Sequence, residues 1–128
     1  MAKSAETVQE VYDLARKGKR DVLRELLHDD VTWYPAREGG WRPCTDADEV
    51  LRTLMWRAGV NRMRPSGFID LGDRVVLQLR GRAAQRLGAR GLLFPALFQI
   101  VSLRDGKVAS IQDYPNRDTA YAAAGLKS

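Results

Sequence analysis

The sequence predicts an α+β domain in which three helices come first and a run of antiparallel strands follows. Apolar residues recur at helical spacing in the first half of the chain. The second half alternates apolar and polar residues, and turn pairs such as Gly72-Asp73 and Asp105-Gly106 punctuate it. Because the 128 residues contain no linker, repeat or low-complexity segment, we expect one domain over residues 1–128.

Helical spacing predicts three N-terminal helices. The first covers 5–17, where Val8, Val11 and Tyr12 share one face, and the second covers 21–27. The third opens at Asp46, with Thr45 or Asp46 as its cap, and Gly59 is its predicted end.

Five strands are predicted around and after these helices. A strand at 31–35 leads into a loop rich in Gly and Pro. The other four strands are expected at 61–70, 74–82, 92–103 and 108–114, and a short helix at 118–125 closes the chain.

Composition narrows the functional classes. The net charge is +5 and the pI is about 9.7, and arginines contribute most of the positive charge. Because these arginines are scattered along the sequence and form no basic block, we expect no nucleic-acid partner. No apolar run approaches the ~20 residues that span a bilayer, and the N-terminus carries no secretory signal. A lone Cys44 gives neither a disulfide nor a metal cluster. We therefore expect a cytoplasmic protein with no membrane partner and no cofactor.

The hairpin 96–114 carries the main candidate for chemistry. Side chains alternate along a strand, so Ile111 and Asp113 share one face, while Gln112 and Tyr114 share the other. Because burying a charge is costly, a buried carboxylate is expected to have either a hydrogen-bonding or charged partner or a catalytic role. Asp113 is therefore an acid or base in a pocket, a cap for the turn at 115–117, or the partner of an arginine.

The same hairpin resembles the end of a SnoaL-like domain, a member of the nuclear transport factor 2-like superfamily. The segments "VSLRDGKVASIQDY" and "NRDTAYAAAGL" carry the resemblance, together with "VYDLARKGKRDVLRELLHDDVTWYP" at the front. It covers roughly residues 6–126. It implies a cone-shaped, strongly curved antiparallel sheet, packed on about three N-terminal helices, with a pocket at the open end. Ketosteroid isomerases, limonene epoxide hydrolases and polyketide cyclases are among the relatives.

The resemblance implies acid–base chemistry on an apolar oxygenated metabolite, but two catalytic sets are incomplete. Ketosteroid isomerases have an aspartate before the proline of the first strand, where this chain has Tyr34. Their oxyanion donors fall at Val11 and Phe98. In limonene epoxide hydrolases the first aspartate of "RDYFD" is catalytic, and Asp113 matches it. The second carboxylate of that set is missing at 80–82.

From the residues and the resemblance we predict Asp113 as the catalytic acid or base and Tyr34 as its hydrogen-bond partner. The predicted pocket wall comprises Tyr12, Trp33, Trp56, Phe98, Gln99 and Ile111. We expect a homodimer that binds a small apolar ligand. The alternative is a ligand-binding or scaffold protein that has lost the acid–base groups.

Overall fold

A five-stranded sheet and four α-helices make up most of residues 3–60, 62–81 and 96–127, which this computed structural model describes. In chain order the elements are α1 (Lys3–Lys17), α2 (Arg20–Arg24), β1 (Leu27–Tyr34), α3 (Ala47–Leu54), a π-helical segment (Met55–Val60), β2 (Arg64–Asp70), β3 (Arg74–Arg80), β4 (Ala96–Arg104), β5 (Lys107–Tyr114) and α4 (Arg117–Ala124). The predicted α+β fold class is confirmed.

The strands lie in the order β1-β5-β4-β3-β2, and neighbours are antiparallel except that β1 runs parallel to β5. Both predicted hairpin turns are present. Gly72 has a φ of 95° and Gly106 a φ of 77°, backbone that glycine adopts without the cost of a Cβ clash. The predicted starts and ends of strands at 82 and 92–95 lie outside the described residues.

The sheet curves around α1 and α3. The pairing register shifts in β2 between Ser66 and Ile69 and in β4 between Ser102 and Leu103, and such bulges bend and twist a strand. The concave face packs on the buried side of α1. That core includes Val8, Val11, Ala15, Val31, Leu77, Leu79, Leu97 and Val101. Burial of this face stabilises both the curvature and the position of α1.

Helix α4 covers part of the opposite, outer face of the sheet. Val76 and Ile100 point outward and pack with Ala124 of α4. Asn116 caps this helix, because its Oδ1 accepts a 2.9 Å hydrogen bond from the Thr119 N–H. The turn after Asp113 is therefore capped by Asn116 and not by Asp113.

Several predicted bounds differ from the structure. Strand β1 begins at Leu27 instead of residue 31, since Leu27 pairs with Val108 of β5 and lengthens the ladder. Asp46 is the cap of α3, as predicted, with its carboxylate accepting from the Glu49 N–H. The helix does not stop at Gly59: it passes into the π-helical segment, which contains Gly59. No described helix has the length and apolar character needed to cross a membrane.

Candidate functional site

The π-helical segment at 55–60 carries an arginine into the protein interior. Arg57 is only 2% exposed, and its neighbour Ala58 is fully buried. The Arg57 Cζ lies 4.4 Å from the centroid of the Trp33 ring and 5.0 Å from that of Trp41. The two indoles stand edge to face, 6.1 Å apart. Their faces attract the guanidinium electrostatically where water is absent.

Asp113 meets Arg57 from the end of β5. Arg57 Nη1 donates to Asp113 Oδ2 at 2.9 Å, and both side chains are almost fully buried. Asp113 Oδ1 accepts two further hydrogen bonds at 2.9 Å, from Trp33 Nε1 and from Gln99 Nε2. Charged hydrogen bonds of this kind stabilise the carboxylate as an anion. Of the three alternatives for Asp113, the arginine pair is observed.

Gln99 extends the network to the first helix. It lies directly opposite Asp113 across the β4–β5 ladder, and its Oε1 accepts a 2.6 Å hydrogen bond from the Tyr12 hydroxyl. Burial raises the pKa of Tyr12 above its ordinary value, and the negative charge of Asp113 raises it further. The Arg57 charge and the hydrogen bond to Gln99 oppose this only in part. Tyr12 is therefore a neutral donor at physiological pH.

We call Tyr12, Trp33, Arg57, Gln99 and Asp113 the buried polar cluster. Its formal charges are one positive guanidinium and one negative carboxylate, so they cancel. One donor is left over: the Nε of Arg57 is buried and has no hydrogen-bond partner among the described residues. The cluster can therefore donate a hydrogen bond to an added oxygen without changing its own charge.

A cavity of about 770 Å³ lies at the loop between β1 and α3, and no member of the buried polar cluster is among its described lining residues. We call it the loop cavity. It is lined by Tyr34, Pro35, Ala36, Glu38, Gly39, Trp41, Arg42, Pro43 and Gln112. Its volume lies within the range of about 300–1,000 Å³ that is usual for small-molecule sites. Trp41 lines the loop cavity and also packs against Arg57 of the buried polar cluster.

Four of the predicted site residues come together in the buried polar cluster: Asp113, Tyr12, Trp33 and Gln99. Ile111 lies on the same inner face and is buried in the core. Alternation along β1, β4 and β5 places Trp33, Gln99 and Asp113 on one side of the sheet, and Tyr12 joins them from α1. The sequence predicted this alternation for β5 only.

Three predicted residues lie elsewhere. Tyr34 points to the other face of β1 from Trp33, is 44% exposed and lines the loop cavity, so it is not the hydrogen-bond partner of Asp113. Phe98 is half-buried on the outer face of β4, because Leu97 and Gln99 take the inner positions. Trp56 is 47% exposed and lines a separate groove between α1 and the π-helical segment. The expected single wall is therefore divided among three regions.

Two residues at the site, Arg57 and Trp41, were not predicted from the sequence. Arg57 follows Val50 by seven residues and Leu54 by three, which is helical spacing on the buried side of α3. A charged residue at such a position signals a buried partner. Trp41 gave no comparable signal, since its loop has no periodicity. Among the described residues, no group of three or more His, Cys, Asp or Glu side chains could hold a metal ion.

The SnoaL-like domain model matches residues 8–111 of the chain. IdmH from Streptomyces antibioticus, a proposed polyketide cyclase, is 17% identical, covers 95% of this chain and 98% of its own, and superposes with a TM-score of 0.63. An LEH-like epoxide hydrolase from M. tuberculosis is 11% identical, with 88% and 81% covered and a TM-score of 0.63.

TerC, co-crystallised with polyporic acid, is 21% identical, with 94% and 96% covered and a TM-score of 0.59. At these identities the structural likeness establishes the fold alone. No curated protein matches the chain.

Proposed function

This chain belongs to the SnoaL-like domain family, and from that premise we propose that it binds an apolar, oxygenated small molecule. The loop cavity is the observation that carries the proposal. It has the volume of a small-molecule site, apolar and aromatic wall residues, and four polar residues, including the charged Glu38 and Arg42, that can orient a ligand. The names of two neighbours agree with this ligand class: an LEH-like epoxide hydrolase, and TerC crystallised with polyporic acid.

The lining of the loop cavity suits such a ligand. Pro35, Ala36, Pro43 and the Trp41 ring offer apolar surface, which favours a hydrocarbon skeleton over water. Tyr34 supplies a hydroxyl that can donate to a ligand oxygen or accept from a ligand hydroxyl. In this proposal Tyr34 is a ligand-binding residue.

The test starts with native mass spectrometry of the purified protein, which we expect to reveal a co-purified small molecule. Calorimetric titration with 1-tetralone, a bicyclic ketone, then measures binding directly. In the variant Ala36→Trp a large side chain occupies the loop cavity, and we expect binding to weaken at least tenfold. The matched control is Ala122→Trp, since Ala122 is exposed on α4 and far from this lining. Equal affinities for the two variants would refute the proposal.

Acid–base catalysis by Asp113 is the second candidate function, and one observation favours it. A carboxylate offers about four acceptor positions, and within the described part of the chain Asp113 accepts three hydrogen bonds, two at Oδ1 and one at Oδ2. The side chain lies on the concave side of the sheet, in the interior. A base placed there could remove a proton from carbon beside a ligand carbonyl.

Exchange of the α-protons of 1-tetralone in D₂O, followed by NMR, tests this second function. If Asp113 is a base, the wild-type protein accelerates exchange and the variant Asp113→Asn abolishes the acceleration. Near-UV circular dichroism confirms that the variant is folded during the assay. A wild-type protein that binds the ketone without accelerating exchange would assign the loop cavity to binding alone.

A further inference from the structure

We propose that the Nε of Arg57 donates a hydrogen bond to the bound ligand, and that the accepting group is a neutral oxygen such as a ketone carbonyl. The inference rests on the proposed function and deepens it by naming the group that is recognised. Arg57 is 2% exposed, yet its Nε is a buried side-chain nitrogen with no hydrogen-bond partner among the described residues.

A buried N–H that has no acceptor destabilises the folded protein. This cost is typically larger than the net stabilisation from a single hydrogen bond. The surrounding contacts restrict the movement of this N–H. The Arg57 Cζ lies over the rings of Trp33 and Trp41, and Arg57 Nη1 donates to Asp113 Oδ2 at 2.9 Å. The donor is therefore oriented before any ligand arrives, which reduces the ordering cost of binding.

The loop cavity provides the approach. Trp41 lines that cavity, and its ring centroid lies 5.0 Å from the guanidinium carbon, so Trp41 adjoins both the loop cavity and Arg57. Trp41 follows Gly39 and Gly40, and Gly39 has the left-handed φ of 79° that glycine favours. For a ligand oxygen in the loop cavity to reach Nε, the Trp41 indole must therefore move aside.

The charges select the kind of oxygen. Arg57 is already neutralised by Asp113 in a nearly water-free environment. A ligand carboxylate would lose its hydration and would also be repelled by Asp113, and the guanidinium could compensate only one of the two anions. A ketone oxygen brings no net charge and accepts one hydrogen bond, which is what the cluster lacks.

Three probes with one bicyclic skeleton test the inference by calorimetry: 1-tetralone, tetralin and 1,2,3,4-tetrahydro-1-naphthoate. Because a hydrogen bond to a charged donor is involved, we expect the wild-type protein to bind the ketone about 10- to 100-fold more tightly than the hydrocarbon. The carboxylate should bind more weakly than the ketone. Equal binding of ketone and hydrocarbon would overturn the role of Nε, and tighter binding of the carboxylate would overturn the preference for a neutral oxygen.

Two variants separate this role from a structural one. Arg57→Lys keeps a positive charge near Asp113 but removes the Nε donor. The double variant Arg57→Met/Asp113→Leu removes both charges and guards against a folding failure, since exchanging a buried ion pair for apolar residues is often neutral or stabilising. In both variants the preference for ketone over hydrocarbon should collapse to near unity. A preference that persists in the folded double variant would refute the assignment.

Infrared spectroscopy of bound 1-tetralone gives an independent readout. A hydrogen bond from Nε lowers the carbonyl stretching frequency, and this lowering should disappear in Arg57→Lys. If the wild-type protein binds none of the three probes, the proposed function itself fails. If it binds ketone and hydrocarbon alike, only the inference about Arg57 fails.

Discussion

Arg57 Nη1 and Asp113 Oδ2 form a 2.9 Å ion pair between the π-helical segment and the end of β5, with both side chains at 2% exposure or less. Two buried charges this close are mutually dependent. Each one removes the large desolvation cost that the other would otherwise bear alone. The ion pair therefore helps to hold the π-helical segment against the end of β5, and this contribution requires an aspartate at position 113.

We predict that Asp113→Asn lowers the free energy of unfolding by about 3–5 kcal/mol, because it leaves the Arg57 charge buried without a counter-charge. Urea unfolding followed by circular dichroism measures this. The control is Asp30→Asn, which breaks the exposed ion pair with Arg104 and should cost less than about 1 kcal/mol. Equal effects of the two substitutions would contradict the structural role of the pair.

Tyr12→Phe should lower stability near neutral pH by about 1–3 kcal/mol, since Gln99 Oε1 loses its buried donor. The deficit should shrink in alkali. The folded-state pKa of Tyr12 is raised above the unfolded value of about 10, so its contribution is complete below that pH and is lost as the pH rises further. Urea unfolding of both proteins from pH 8 to pH 11 checks the sign. Parallel curves across this range would show that Tyr12 does not titrate differently on folding.

Dimerisation remains a prediction, and it now depends on the part of the outer sheet face that α4 leaves uncovered. Helix α4 covers part of the outer sheet face, leaving Phe98 and Tyr114 half-buried there. We expect sedimentation at micromolar concentration to give twice the 14.4 kDa chain mass, and Phe98→Asp to return it to the monomer value. Val60→Asp, at an exposed position on the π-helical segment, should leave the dimer intact. A monomeric wild-type protein would remove the prediction.

Binding to duplex DNA should be weak despite the net charge of +5. Several arginines are paired with carboxylates on the described surface, among them Arg16 with Asp13 and Arg24 with Asp29. We expect any association seen at low salt to vanish near ~150 mM salt, where surface charges are screened within about 8 Å. Sequence-selective binding that survives at that salt concentration, measured by fluorescence anisotropy, would contradict this expectation.

Local sequence rules predicted the parts of the structure that depend on near neighbours. Alternation placed Asp113 on the inner face with Ile111, and Asp105-Gly106 forms the predicted turn, with φ values of 56° and 77°. The cap at Asp46 could also be predicted locally, since its carboxylate accepts a hydrogen bond from the N–H of Glu49, only three residues further along the chain.

The remaining features depend on contacts between distant residues. The early start of β1 depends on its pairing with β5, which lies at the other end of the chain. Tyr34 was predicted to form a hydrogen bond with Asp113, but adjacent positions on β1 point to opposite sides of the sheet. Trp33 occupies the inner position and donates this hydrogen bond instead. Helical spacing places Arg57 on the buried side of α3, but its partner could not be predicted, because Asp113 lies far from it in the sequence.

The parallel pairing of β1 with β5 has a consequence for how the chain acquires its fold. Leu27 pairs with Val108, so β1 has no partner strand until residues 28–107 have been synthesised. Pairings of such long sequence separation make folding slow, and an unpaired strand edge favours association with other chains in the meantime. We therefore expect nascent chains that stop before residue 107 to depend on chaperones. The Arg57–Asp113 pair can close only after residue 113 has been synthesised.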